Sequence, residues 1–328
     1  TVRGNHQGNF GINTCPSKPE VFAGMVKLYD DLFAAFADVG CDELILWPYD
    51  EGGCHCDQCL PWGGSMYLKL GKEIAGKARA RFPQVQVTVS TWRFAHDSNA
   101  DPQGEWPAFQ ANLGADHAWA RRVMADGFRG FFPKFVLDNG TPGKLPLVTF
   151  PEISMFDGSP WGAKGMIPGP QVFFGQWKRL RAQVAGGMVY SEGIFEDINK
   201  VLWAGWWWNG DATPDDLVRA YAAWEYGPAV ADDVVSVMPM LGKVGKKGEE
   251  PPRLRAEAIL AAAEAKLDER ARASWRWRLL RLRTVIDAEL HRRGGKHEGE
   301  VLRAAYAELV TLYHAQHAHP YVRPHTVR

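Results

Sequence analysis

Short apolar runs alternate with longer amphipathic stretches from the N-terminus to about Gly210. One apolar run is CDELILW at residues 41–47, and the amphipathic stretch SMYLKLGKEIAGKARARF follows it at residues 65–82. This order predicts β-strands joined by helices, and hence a parallel sheet. We therefore predict an α/β fold with a (β/α) TIM-type barrel over residues 1–212. Fewer than eight strands are evident, so an incomplete or irregular barrel fits the pattern as well.

The pattern changes at Thr213, which together with Pro214 has the form of an N-cap followed by a first helical residue. The sequence beyond it is helix-like and charged to about His317. We therefore predict a second domain, an α-helical C-terminal region, over residues 213–328.

Within the first domain, β-branched and apolar residues predict strands, and apolar residues at helical spacing predict helices. The predicted strands lie at residues 1–8, 41–51, 85–94, 128–138, 145–155 and 187–193. The predicted helices lie at residues 19–40, 65–82, 172–186 and 194–210. Residues 95–119 are rich in Asp, Asn, Pro and Gly, and we expect them to form a long loop.

The charge of the chain is balanced, since lysine plus arginine and aspartate plus glutamate both number 38. No global field therefore draws it to nucleic acid or to an anionic membrane, and a neutral sugar fits this balance. The one basic stretch, SWRWRLLRLR at residues 274–283, interleaves tryptophan and arginine as single-strand nucleic-acid sites do. Its helical spacing and the acids nearby favour a solvated helix instead. Neither a signal peptide nor a run of eighteen apolar residues occurs, which leaves a cytoplasmic and a secreted location open.

Polar and aromatic residues gather where the predicted strands end, which is where a barrel of this type carries its catalytic groups. The chain has 14 tryptophans, many beside Gly, Pro, Asn or Asp, and flat rings of this kind stack on the apolar faces of pyranose sugars. The predicted substrate-binding residues are Asn5, His6, Tyr49, Trp92, Arg93, Tyr190, Glu192, Trp207, Trp208 and Asn209.

Asp50 and Glu51 follow an apolar run directly and precede two glycines. They are too close together to flank a glycosidic bond as two separate acids in the usual geometry. They suit a mechanism in which the 2-acetamido oxygen of the substrate attacks the anomeric carbon. Asp50 would then orient the amide, and Glu51 would protonate the leaving oxygen, because burial and the charge of Asp50 raise its pKa. The alternative is that the pair caps a turn and faces water.

The segment WPYDEGG, residues 47–53, resembles the Asp-Glu pair at a barrel strand end in retaining, substrate-assisted β-N-acetylhexosaminidases. The resemblance extends over roughly residues 1–227, and Pro48-Tyr49 in place of the glycines before the pair favours the β-N-acetylgalactosaminidases. It implies an exo-acting glycoside hydrolase that releases terminal β-linked N-acetylgalactosamine or N-acetylglucosamine through an oxazolinium intermediate, without an organic cofactor. Two alternatives remain open: a zinc-dependent hydrolase with Glu51 as base, and a non-catalytic carbohydrate-binding protein.

Three of the five cysteines, Cys54, Cys56 and Cys59, lie within six residues of one another. This spacing suits a metal better than a disulfide framework, which so long a chain does not need. A closed tetrahedral zinc site requires a fourth ligand. Cys15 follows a predicted strand and so lies at the same barrel end, whereas Cys41 precedes its strand and His55 is a weaker candidate. We predict a structural zinc ion held by Cys15, Cys54, Cys56 and Cys59; free thiols or a disulfide without metal are the alternatives.

Overall fold

The structure, a computed structural model, describes residues 14–48, 53–54, 56–92, 94, 104–127, 130–154, 169–191, 196–241 and 251–312. The chain forms two compact units. Unit 1 comprises Thr1–Pro151 and Ala182–Met188, and unit 2 comprises Glu152–Arg181 and Val189–Arg328. The division into a barrel domain at residues 1–212 and a helical region at residues 213–328 stays a prediction. No helix in the described ranges combines the length and the apolar character that crossing a membrane requires.

Unit 1 is built around a four-stranded parallel sheet in the order β1-β2-β3-β4. Its strands are β1 (Glu43–Leu46), β2 (Gln86–Ser90), β3 (Arg122–Ala125) and β4 (Leu147–Thr149). Its helices are α1 (Pro19–Ala35), α2 (Met66–Arg81), α3 (Glu105–Ala115) and α4 (Lys134–Asn139). Val87, Val89 and Val123 are fully buried, as expected for a parallel sheet covered on both faces. The α/β class with a parallel sheet is therefore confirmed.

A further short segment runs beside β4. The amide of Thr149 donates to the carbonyl of Gly186 at 3.0 Å, and the amide of Met188 donates to the carbonyl of Thr149 at 2.9 Å. Thr149 and Gly187 form a parallel bridge. The carboxyl ends of all these parallel strands therefore lie at one edge of the sheet.

Unit 2 contains a two-stranded parallel sheet, β5 (Glu152–Ser154) with β6 (Tyr190–Ser191). Its α-helices are α5 (Pro170–Leu180), α6 (Glu196–Trp208), α7 (Pro214–Glu225), α8 (Ala231–Val237), α9 (Pro252–Ala263), α10 (Glu269–Ala273), α11 (Trp275–Arg292) and α12 (Glu300–Leu312). Every described element after residue 213 is helical, as the sequence predicts. Thr213 caps α7, its Oγ1 accepting a hydrogen bond from the amide of Asp216 at 3.2 Å.

The basic stretch lies on α11, where its arginines contact carboxylates. Arg276 pairs with Asp197, Arg278 with Glu308 at 2.7 Å, and Arg281 with Glu264 at 3.4 Å. Trp277 of the same stretch is fully buried. The stretch therefore forms a helix with one apolar side and an ion-paired side; that the chain binds no nucleic acid stays a prediction.

Two predictions of local structure are wrong. Residues 105–115 form helix α3 inside the predicted loop 95–119, because Trp106, Phe109 and Leu113 recur at helical spacing and are buried. Pro107 does not prevent this, since a proline in the first turn removes an amide that has no helical partner there. Residues 128–138 were expected to form a strand, but Pro133 precedes helix α4, and the short strand β3 lies further upstream.

Candidate metal centre and the neighbouring aromatic cluster

Four cysteine sulfur atoms meet in unit 1, those of Cys15, Cys54, Cys56 and Cys59, and all lie within 4.8 Å of one another. From the sulfur of Cys15, the distances are 3.4 Å to Cys54, 3.7 Å to Cys56 and 3.9 Å to Cys59. None of the four forms a disulfide. A tetrahedral metal with bonds of about 2.3 Å to sulfur holds its ligands about 3.8 Å apart. The observed distances therefore fit a four-thiolate metal site.

Local turns bring these cysteines together. Cys15 lies in the turn before α1, where the amide of Lys18 donates to its carbonyl at 3.3 Å. Cys54 and Cys56 follow β1, and the carbonyl of Cys56 accepts hydrogen bonds from the amides of Cys59 at 2.9 Å and Leu60 at 3.1 Å. This tight turn places Cys56 and Cys59 on the same side of the loop. The fifth cysteine, Cys41, instead contacts the carbonyl of Glu43 at 3.3 Å and lies outside the cluster.

Hydrogen bonds and burial give the four thiols unequal acidity. The Ser17 hydroxyl lies 2.9 Å from the Cys15 sulfur and 3.7 Å from the Cys56 sulfur. Its hydrogen bond, reinforced by the neighbouring thiols, lowers the pKa of Cys56 to about 6. Burial raises the pKa of Cys54 to about 11 and holds the pKa of Cys59 well above its ordinary value. The cluster therefore offers a thiolate to a cation at neutral pH, and metal binding would displace protons from the buried thiols.

An aromatic cluster lies at the carboxyl end of the same sheet and consists of Trp47, Trp92 and Phe150. Each follows a strand directly or within two residues: Trp47 after β1, Trp92 after β2 and Phe150 after β4. The ring of Trp47 lies 5.7 Å from that of Trp92 and 4.6 Å from that of Phe150, measured between centroids. Phe150 is buried, but 37% of Trp47 stays exposed. The cluster thus presents an aromatic surface to solvent.

Trp47 and Phe150 are in contact although the strands that they follow are not neighbours in the sheet of unit 1. β1 and β4 are three strand positions apart, which in a flat sheet is about 14 Å. The two large side chains therefore extend towards each other across the end of the sheet, and their ring centroids lie 4.6 Å apart.

Tyr67, at the start of α2, and Trp62, four residues before α2, contact the chain on either side of residues 49–52. The buried Tyr67 hydroxyl lies 2.8 Å from the carbonyl oxygen of Leu46 and 2.9 Å from that of Ser90. The ring of Trp62 lies against Gly53, where an added Cβ atom would come within 2.1 Å of it. Gly53 also has a φ of +115°, a conformation that favours glycine. Trp47, Trp62 and Tyr67 line a cavity of about 430 Å³, within the size range of small-molecule sites.

The structure brings some of the predicted site residues together, and others lie outside the described ranges. The structure brings together the four cysteines, and it places Trp92 beside Trp47. Seven predicted residues lie outside the described ranges: Asn5, His6, Tyr49, Asp50, Glu51, Arg93 and Glu192. His55, the weaker metal-ligand candidate, lies outside them too.

The remaining predicted residues belong to unit 2. Tyr190 lies on β6 and is partly exposed. Trp207 contacts Trp203, Trp208 at the end of α6 is 94% exposed, and the side chain of Asn209 accepts a hydrogen bond from the amide of Asp211. A substrate-binding role for these four residues stays a prediction.

Sequence reasoning missed Trp47, Phe150 and Ser17. Trp47 and Phe150 each follow a strand of the structure immediately, but the predicted strands 41–51 and 145–155 extend past them, which hid their position at a strand end. Ser17 lies two residues after Cys15, but nothing in the surrounding sequence indicates that its hydroxyl contacts Cys56.

No protein-family model matches the chain, and no curated protein matches it either. Among solved structures, the chain is similar to one described as a novel family GH115 4-O-methyl-α-glucuronidase with specificity for decorated arabinogalactans. The TM-score is 0.54 at 12% sequence identity, over 97% of this chain and 46% of that chain. The chain thus spans about half the length of that protein, and a likeness at this level of identity shows a shared fold alone.

Proposed function

We propose that the chain is an exo-acting, retaining glycoside hydrolase that releases terminal β-linked N-acetylgalactosamine, or N-acetylglucosamine, by substrate assistance. The observation that carries this proposal is the aromatic cluster at the carboxyl end of the sheet in unit 1. The partly exposed ring of Trp47 offers a surface on which a pyranose can stack. Asp50 and Glu51 follow Trp47 by three and four residues, so the proposed catalytic pair is close to this surface along the chain.

The proposed roles of the two carboxylates follow from their chemistry. Asp50 hydrogen-bonds the 2-acetamido group and turns its oxygen towards the anomeric carbon. Glu51 protonates the leaving oxygen and afterwards takes a proton from the water that opens the oxazolinium ring. Asn5, His6, Tyr49, Trp92 and Arg93 contribute to sugar binding in this proposal.

Two features support a carbohydrate substrate and a barrel. The parallel sheet of unit 1, whose strands alternate with helices, is compatible with a TIM-type barrel. The fold is also similar to that of a protein described as an α-glucuronidase. That protein's substrate is not transferred to this chain, but α-glucuronides belong in any activity screen.

We further propose that the four cysteines hold a structural zinc ion. Zinc prefers thiolate ligands in a tetrahedron, and the sulfur distances fit that arrangement. Four thiolates fill the coordination shell of zinc and leave no position for a water molecule. This supports a structural zinc ion rather than the catalytic zinc of a hydrolase with Glu51 as base. Bound zinc would join the turn before α1 to the loop after β1.

Aryl glycosides of N-acetylgalactosamine, N-acetylglucosamine and glucuronic acid test the activity. We expect Glu51→Gln to lower kcat by about 10²- to 10⁴-fold, the range of a lost general acid, while sugar binding persists. Glu43→Gln is the matched control, because Glu43 begins the same strand at its other end.

Three results would contradict the proposal. Full activity of Glu51→Gln would remove the assigned acid. Sugar binding without hydrolysis by the wild type would indicate a carbohydrate-binding protein. Hydrolysis of a substrate without the 2-acetamido group at a similar rate would rule out substrate assistance.

A further inference from the structure

We propose that the cysteine cluster is a site of oxidation by hydroperoxides, in which Cys56 reacts first, Cys15 forms a disulfide with it, and the bound metal is released. The inference uses the proposed metal site only for the last of these steps. It concerns the accessibility and spacing of the four sulfur atoms, and it does not depend on glycosidase activity.

Access to the cluster is asymmetric. Cys15 is 4% exposed, and Cys54 and Cys59 are fully buried. Cys56 is the partly exposed member of the four. A peroxide must approach a sulfur atom closely to react with it, and susceptibility to oxidation follows exposure. Cys56 is therefore the point of entry.

The sulfur of Cys15 is well placed to react next, because it lies 3.7 Å from that of Cys56. The Ser17 hydroxyl lies beside both sulfur atoms, at 2.9 Å from Cys15 and 3.7 Å from Cys56, and can donate a hydrogen bond to departing hydroxide. The two sulfur atoms need to approach each other only a little further to reach the S–S distance of a disulfide, about 2.05 Å.

The chemistry balances with hydrogen peroxide as the oxidant. The Cys56 thiolate attacks one peroxide oxygen, the O–O bond breaks, and hydroxide leaves, which gives a sulfenic acid. The Cys15 thiolate then attacks the Cys56 sulfur, the S–O bond breaks, a second hydroxide leaves, and the disulfide forms. The two sulfur atoms supply the two electrons that reduce the peroxide. Two of the four ligands are lost, so the metal dissociates.

The pairing has a structural consequence. Cys15 precedes α1, whereas Cys56 follows β1, so a bond between them links the same two segments that a metal would link. A bond between Cys54 and Cys56, or between Cys56 and Cys59, would close only a short loop. The oxidised protein would thus lose its metal and retain the link between the segments.

The test treats the zinc-loaded, full-length chain with less than one equivalent of hydrogen peroxide. A chromogenic chelator measures the zinc released, and differential alkylation with mass spectrometry maps the disulfides. We expect one zinc released per disulfide formed, with Cys15–Cys56 as the first and main disulfide. Cys56→Ser should slow peroxide-driven release at least about tenfold, because the remaining sulfur atoms are shielded.

Cys41→Ser is the matched control, since Cys41 is also partly exposed but lies outside the cluster; its zinc release should equal that of the wild type. A different first disulfide, a Cys56 sulfenic acid that retains zinc, or unchanged release from Cys56→Ser would overturn the proposal. Mapping the first disulfide in the reduced, metal-free chain tests the Cys15–Cys56 pairing even if the chain binds no zinc, so the two proposals fail separately.

Discussion

Tyr67 places one hydroxyl group between two backbone carbonyls, those of Leu46 at the end of β1 and Ser90 at the end of β2. The hydroxyl has one proton, so the two carbonyl oxygens share a single hydrogen-bond donor. Burial raises the pKa of Tyr67 far above its ordinary value, so it remains a neutral donor. The residue joins two neighbouring strands at the edge where Trp47 and Trp92 lie.

We expect Tyr67→Phe to lower the free energy of unfolding of unit 1 by about 1–3 kcal/mol, because the two buried carbonyls lose their shared donor. Hydrogen exchange of the amides of β1 and β2 measures this change. Tyr29→Phe is the control: Tyr29 is 36% exposed on α1, and a surface change should stay within about 0.5 kcal/mol. Equal effects of the two substitutions would show that the shared hydrogen bond contributes nothing.

Residue spacing predicted the cysteine cluster better than the aromatic cluster. Three of the four cysteines lie within six residues of one another, and Cys15 could be chosen over Cys41 from the strand end that each flanks. The contact of Trp47 with Phe150 joins residues about a hundred positions apart, and it depends on the order of the strands and on the side-chain conformations. A single sequence does not show which side chains such an arrangement brings into contact.

Helices and strands could be predicted from the sequence where neighbouring residues gave consistent signals. Thr213 and Pro214 marked the start of α7 because capping is a local interaction. Helix α3 was missed because Pro107 and the flanking glycines read as loop signals, although its buried residues follow helical spacing. Strand β3 was missed because its sequence, RVMA, contains a short apolar run with one β-branched residue, whereas the equally short β1 lies within the longer apolar run LILW.

The packing of α2 on α3 depends on Gly64, just before α2. A Cβ atom there would come within 2.3 Å of the Ala108 Cβ and 2.6 Å of the Phe109 amide nitrogen. Asn112 of α3 donates a hydrogen bond to the Gly64 carbonyl at 2.5 Å, so the two segments are held close together. Because part of the obstruction is backbone, a side chain at residue 64 must push α3 away.

We expect Gly64→Ala to destabilise unit 1 by about 1–3 kcal/mol, the usual cost of overpacking. Gly76→Ala is the matched control, because Gly76 lies exposed within α2 with open space around it. This second change should stabilise the helix by up to about 1 kcal/mol. Thermal unfolding of both variants measures the difference, and a stabilised Gly64→Ala variant would contradict the packing described.

At the scale of the whole molecule, the cysteine cluster belongs entirely to unit 1. Unit 2 has a separate core that includes the fully buried Trp203, Trp206 and Trp277. A metal that binds only the folded cluster stabilises the fold that forms it. The effect of the metal should therefore be confined to the unit that contains the cluster.

Removal of the metal should lower the thermal stability of unit 1 and leave that of unit 2 unchanged. A ligand at about 100 times its Kd contributes about 2.7 kcal/mol, and at about 2–4 °C per kcal/mol its loss lowers Tm by roughly 5–11 °C. Hydrogen exchange during heating, with and without a chelator, distinguishes peptides of α1, α2 and β1 from peptides of α9, α11 and α12. Cys41→Ser should respond as the wild type does, whereas Cys59→Ser should begin at the lower stability and show no further loss. Equal losses in both groups of peptides would contradict an effect confined to unit 1 and would mean that the metal stabilises the chain as one cooperative unit.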